Sequence, residues 1–143
     1  MAKMFSKTCE YGMRAMIYIA KCSADGYMVG VEEIATETNT PKHFVSKILQ
    51  ILAKENLVAS AKGPKGGFYL LPKKVTLADI VIALEGKTFF TGCAMGLARC
   101  SEKNPCPMHH HFIIVRDQLT AALESNTLTE IVKSFDQKHL KLK

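Results

Sequence analysis

Several familiar features are missing from this 143-residue chain. No run approaches the roughly 18 consecutive apolar residues of a membrane-spanning helix. The opening residues, Met1-Ala2-Lys3-Met4-Phe5-Ser6-Lys7, contain no long apolar segment, so they do not read as a secretion signal. The expectation is a soluble, cytoplasmic protein with no membrane partner. There is no internal repeat and no low-complexity tract, which sets aside solenoids and biased disordered segments. No phosphate-binding fingerprint and no nucleophile paired with a base is visible, so an enzyme is not expected. Acidic residues are scarce in one stretch. Between Pro41 and Lys74, Glu55 stands alone against Lys42, Lys47, Lys54, Lys62, Lys65, Lys73 and Lys74.

That stretch accounts for the whole formal net charge of +6, and the rest of the chain is neutral. A localised basic field points to a polyanion, nucleic acid before membrane. On charge alone, a solvated lysine-rich surface remains equally open. Hydrophobic residues make up 48% and charged residues 22%, which excludes wholesale disorder, and the length suits one domain.

The five cysteines are unevenly placed. An odd number without a secretion signal argues against a disulfide framework. Cys9 and Cys22 fall in an apparent helix and read as packing residues. Cys93, Cys100 and Cys106 fall close together in one loop.

The order of local patterns along the chain is informative. Residues 6–22 carry Met13, Met16, Ile17 and Ala20 at helical spacing, with Ser6 as cap. A glycine-rich turn leads to a short helix over residues 31–38, with Ile34 and Ala35 inward. Thr40-Pro41 then reads as a cap and first helical position. The helix that follows carries Phe44, Val45, Ile48, Leu49, Ile51 and Leu52 and ends near Asn56. Two helices across the turn at residues 37–40 outline a helix-turn-helix. Leu57-Val58-Ala59-Ser60 and Phe68-Tyr69-Leu70-Leu71 read as strands joined by Ala61-Lys62-Gly63-Pro64-Lys65-Gly66-Gly67, a hairpin with a basic tip. Helix, turn, helix and basic hairpin in this order make a winged helix.

Thr76 and Asp79 form a capping-box pattern for a short helix through Leu84, closed by Gly86. Residues 87–107 form a long loop holding the three clustered cysteines. A long helix is expected over residues 108–124. Thr127 and Glu130 form a second capping-box pattern, opening a short final helix. The tail, residues 138–143, is expected to fray, and His139 has no visible role there. The predicted fold is mainly α with a small β-hairpin wing. Its parts are a winged helix-turn-helix unit over residues 1–86, a cysteine-bearing loop over 87–107, and a long C-terminal dimerisation helix with a short helix and tail over 108–143.

Thr40, Lys42, His43, Ser46 and Lys47 are the candidate DNA-reading residues, at the N-terminal end of the second helix and away from its apolar stripe. A recognition helix offers such residues to base edges and phosphates in the major groove. Lys62, Gly63 and Lys65 at the wing tip suit close approach to the narrow, electronegative minor groove.

The thiol spacing Cys93-x6-Cys100-x5-Cys106-x2-His109 suits a soft metal centre. Glycine and proline dominate the punctuation of the loop, so it offers little core in which to bury three cysteines. An iron–sulfur cluster, zinc and a thiol-redox switch all remain open on spacing alone. A closed metal site needs a fourth ligand, for which His109 and Glu10 are candidates. Neighbouring helical residues point about 100° apart, so His110 and His111 read as surface residues.

Taken together, these residues resemble the winged-helix regulators of the IscR/NsrR type, dimeric bacterial transcription factors that often carry an iron–sulfur cluster. The resemblance covers about residues 4–135. It rests most on Tyr11-Gly12-Met13-Arg14-Ala15-Met16, Ile34-Ala35, Pro41 through Leu52, and Leu57-Val58. It continues in Lys62-Gly63-Pro64-Lys65-Gly66-Gly67-Phe68-Tyr69-Leu70, Thr76-Leu77-Ala78-Asp79-Ile80 and Ala83-Leu84-Glu85-Gly86. It implies that Cys93, Cys100 and Cys106 ligate a cluster, [2Fe–2S] or [4Fe–4S]. Some members of this type use a histidine three residues after the last cysteine, here His109. Others use an acidic residue from the first helix of the partner subunit, and Glu10 matches that position.

The sequence departs from the pattern in three places. The first cysteine gap is six residues where five is common. Lys62 stands where arginine is frequent, losing a planar bidentate donor. Phe112 stands where tryptophan is frequent. The expected function is a homodimeric, sequence-specific regulator of double-stranded DNA, reading a pseudo-palindromic operator with an affinity set by the cluster. The alternative is a cluster-free winged-helix regulator switched by cysteine oxidation or zinc.

Overall fold

Ser6 opens the first helix by accepting the Cys9 backbone N–H at 3.2 Å. Helix α1 (Lys7–Ala24) buries Ala15, Met16, Ile19 and Cys22 along one face. A computed structural model describes residues 3–135 and 141–143 of the chain. Helix α2 (Val31–Glu37) and helix α3 (Lys42–Lys54) follow. The turn between them closes through Asn39, whose φ of 49° lies in the left-handed region that asparagine tolerates. Helix α3 buries Val45, Ile48, Leu49 and Leu52, the stripe expected from helical spacing.

Strands β1 (Ala59–Ala61) and β2 (Gly67–Tyr69) form the antiparallel wing, with Ala59 opposite Tyr69 and Ala61 opposite Gly67. Both strands are shorter than the apolar runs around them. Leu57 and Val58 precede β1 and are buried in the core. The wing gains a third edge that the alternation of residues did not reveal. Val29, in the expected glycine-rich turn, exchanges both backbone hydrogen bonds with Phe68, at 3.0 and 2.7 Å. Gly67 permits this approach, because a Cβ there would lie 2.7 Å from the Val29 carbonyl oxygen. The Leu70 N–H donates to Ser23 Oγ at 3.0 Å, tying the end of the wing to α1.

Helix α4 (Leu77–Glu85) starts at Thr76 with both halves of the capping box formed. It lies so close to α1 that a Cβ on Gly12 would meet the Leu84 side chain at 2.3 Å. A 3₁₀ turn (Lys87–Phe90) and an irregular stretch lead to helix α5 (His109–Glu124). Helix α6 (Leu128–Ser134) has the second capping box at Thr127 and Glu130. Leu128 and Val132 of α6 join α1, α3 and the wing in the main core. Leu142 also packs against that core, so this part of the tail is docked rather than frayed. The expectation for residues 138–140, His139 included, lies outside the described residues.

Mainly helical, with an antiparallel hairpin wing, the fold is a winged helix. Among the described residues, no helix is long and apolar enough to cross a membrane.

Candidate functional site: a basic reading surface and a three-thiol loop

Helix α3 presents its N-terminal end to solvent. Lys42, His43 and Lys47 are exposed and Ser46 is half-buried. The His43 ring lies 4.5 Å from the Phe44 ring, and Phe44 in turn lies 5.6 Å from Tyr11 on α1. These ring contacts brace the start of the helix. At the wing tip Lys62, Gly63 and Lys65 are all exposed, so two basic elements are open to solvent.

Thr40 departs from expectation. It is only 5% exposed, and its hydroxyl donates to the Thr38 carbonyl at 3.3 Å. The helix boundary falls at Pro41, which has no side-chain cap. The physical reason is local: turning into α3 carries Thr38 and Thr40 inward, where the Thr38 hydroxyl donates to the Ile34 carbonyl of α2 and the Thr40 hydroxyl to the Thr38 carbonyl. Thr40 therefore shapes the turn and is not part of the exposed set.

The three loop thiols come together. The Sγ atoms of Cys93, Cys100 and Cys106 all lie within 4.8 Å of one another, and Cys93 and Cys106 are 3.7 Å apart. All three are half-buried. The Cys106 N–H donates to Cys100 Sγ at 3.4 Å. His109, at the first position of α5, brings Nδ1 to 3.3 Å from Cys100 Sγ. Glu10 instead lies 3.7 Å from Lys7 Nζ on its own helix. The Leu97 N–H leads a set of hydrogen bonds, including one from Met95 N–H, that draws the Cys93 thiol from 9.0 down to about 7. For Cys100, the Cys106 N–H pulls downward, but partial burial and the neighbouring thiols outweigh it and push the value up. Three soft donors this close form a set that can hold a metal, as thiolates do in iron–sulfur and zinc sites.

Cys9 and Cys22 are fully buried, as their packing role requires. Beside the thiols, a groove of about 720 Å³ runs between the loop and α5, lined by Phe89, Phe90, Cys93, Leu97, Phe112 and Leu119. Arg116 on α5 closes part of it by donating to the Thr91 carbonyl at 3.3 Å. Ile114 and Val115 on α5 are 61% and 56% exposed. Two features of the site were not legible as patterns: the Lys42–Glu32 ion pair at 2.5 Å and the anchoring of the wing by Val29. Acidic residues at the start of α2 were the available signal for the first.

A winged helix joined to a three-thiol loop defines the class of this protein as a transcriptional regulator with a candidate metal centre. The chain belongs to the Rrf2 family of iron-dependent transcriptional regulators, which it matches over residues 5–134. It is 33% identical to a protein of Aquifex aeolicus described as an HTH-type transcriptional regulator, over 96% of each chain. It is 29% identical to the HTH-type transcriptional regulator IscR of Yersinia pseudotuberculosis, over 89% of this chain and 77% of that one. Among solved structures it resembles CymR, the global cysteine regulator of B. subtilis, with a TM-score of 0.74 and 26% identity. That likeness covers 95% of this chain and all of CymR's.

Proposed function

We propose that this Rrf2-family regulator binds double-stranded DNA as a homodimer, with an iron–sulfur cluster on Cys93, Cys100 and Cys106 setting its affinity. The observation that carries this reading is the gathering of three thiol sulfurs within 4.8 Å in the loop that feeds α5. The basic surface supports the DNA half of the reading. Lys42, His43, Ser46 and Lys47 on α3 are offered to the major groove, and Lys62, Gly63 and Lys65 to the backbone and minor groove. The exposed apolar residues of α5 support a second copy packing there. Two α3 helices would then meet half-sites about one helical turn apart on a pseudo-palindromic operator.

In this reading the fourth ligand is His109, supported by its 3.3 Å contact with Cys100; the alternative, Glu10, would have to be supplied by the partner subunit. When bound, the cluster supplies an oxidisable, exchangeable inorganic group. The chain supplies the coupling. His109 is both a neighbour of the thiols and the first residue of α5. Helix α5 packs on α4, α4 on α1, and α1 on α3, so a shift at the thiols has a packed route to the reading helix. The units in this reading are the DNA-reading part over residues 1–86, the cluster loop over 87–107 and the dimerising part over 108–143.

The test is anaerobic purification with an iron and acid-labile sulfide count and a visible spectrum. Retained iron, sulfide and charge-transfer absorbance are expected, and protein without all three overturns the cluster. A cluster-free regulator is the second reading. The 3.7 Å approach of Cys93 to Cys106 and the likeness to CymR favour it. Native mass spectrometry separates the two by the mass of what is bound: cluster, zinc or nothing.

A further inference from the structure

The two acids that open α2 are used differently. Glu33 is turned toward α1 and the turn after it, where its Oε2 accepts the Tyr18 hydroxyl of α1 at 2.9 Å and the Tyr27 hydroxyl of the turn at 3.4 Å. Glu32 is turned toward the reading helix, and its Oε1 meets Lys42 Nζ at 2.5 Å. The Glu32 side chain is 80% exposed and that of Lys42 is 61% exposed, so neither is held there by burial. The hydrogen bond and charge of Lys42 keep the Glu32 carboxyl below the usual carboxylate range. Among the described residues, Lys47, Lys62 and Lys65 have no such acidic partner.

We infer that Glu32 is a specificity-determining residue of the DNA-reading surface, holding Lys42 and disfavouring contacts that offer only a phosphate. This rests on the DNA-binding reading above and deepens it. In a docked helix-turn-helix the first helix crosses the sugar-phosphate backbone while the second enters the groove. Glu32 at the start of α2 and Lys42 at the start of α3 then share the phosphate field. Passing Lys42 from Glu32 to a phosphate replaces one charge-assisted hydrogen bond with another and leaves a carboxylate unpaired beside other phosphates. On arbitrary sequence the binding energy comes essentially from phosphates, so the whole cost remains. On a preferred site, Lys42 can donate to a base edge such as guanine O6 or N7, which offsets the cost. Glu32 therefore works by suppressing wrong sequences, in the sense that specificity is a difference of affinities.

The experiment measures binding of the full-length protein to two duplexes across a salt series. One duplex is of mixed arbitrary sequence, and the other is selected by the wild-type protein from a random pool. Glu32→Gln keeps the shape and removes the charge, and circular dichroism checks the fold. The expected result is binding to the arbitrary duplex about fivefold tighter, from loss of an exposed charge interaction. Its salt slope should steepen by about 1, with a smaller gain on the selected duplex. Lys42→Ala should abolish the steepening in the double variant. Unchanged or weaker binding by Glu32→Gln overturns the inference, and so does an equal gain in the Lys42→Ala background. If the wild-type protein retards no duplex, the DNA-binding reading itself falls, a result distinct from either.

Discussion

His109 Nδ1 lies 3.3 Å from Cys100 Sγ, and this contact joins the thiol loop to the first turn of the long helix. It gives the candidate ligands a direct mechanical connection to α5. It also makes the ligand assignment testable residue by residue.

Cys93→Ala, Cys100→Ala and Cys106→Ala should each purify without stoichiometric iron, since each removes one of three clustered thiols. His109→Ala should lower iron retention by about 10-fold or more, while Glu10→Gln leaves it near wild type. Iron analysis of anaerobic preparations checks both. Iron loss in Glu10→Gln with retention in His109→Ala would reverse the assignment.

Replacing Lys62 and Lys65 with Ala should weaken binding to every duplex. The salt slope should flatten by up to ~2, about one for each phosphate that a lysine neutralises. Both lysines are exposed at the wing tip, so the fold should be unaffected. A slope equal to wild type would take the wing out of the interface.

Ile114→Asp together with Val115→Asp should convert the proposed dimer to a monomer in light scattering. These residues are 61% and 56% exposed in the single chain, so the change costs little within a protomer and much at an apolar interface. Monomeric protein should also lose its preference for two correctly spaced half-sites.

The five thiols should divide in a labelling experiment on native, iron-free protein. Cys93, Cys100 and Cys106 are half-buried and should react readily with a thiol reagent. Cys9 and Cys22 are fully buried and should react only on unfolding. Burial also pushes the Cys22 thiol up from its usual range, which further lowers its thiolate fraction. Fast labelling of Cys22 would mean that the α1 end of the core opens easily.

Thr76→Ala should destabilise the protein by about 1 kcal/mol, measured by urea unfolding, because it removes one half of a formed capping box. Thr127→Ala should act similarly on α6. The two effects should add if the helices respond independently.

The features that were readable along the chain are those governed by near neighbours. Both capping boxes, the cap at Ser6, the apolar stripe of α3 and the basic glycine turn depend on residues within one or two turns of each other. Thr40 shows where such reading stops. Its identity fits a cap, but its hydroxyl turns inward to Thr38 because the path of the chain between α2 and α3 buries it. Val29 shows the same limit from the other side: it sits among turn residues, yet pairs with Phe68 far along the chain.

Composition and local pattern settled the kind of molecule: a winged helix with lysines gathered on its second helix and wing, and three thiols in one loop. These follow from side-chain period, cap chemistry and charge, all of which act over short separations. Packing decided the rest. It drew Cys93, Cys100 and Cys106 within 4.8 Å of one another, set His109 beside Cys100 and left Glu10 with Lys7. It also laid Glu32 against Lys42, ten residues away across a turn. Such meetings are set by how helices and loops fold back over a shared core, and no local preference encodes that distance.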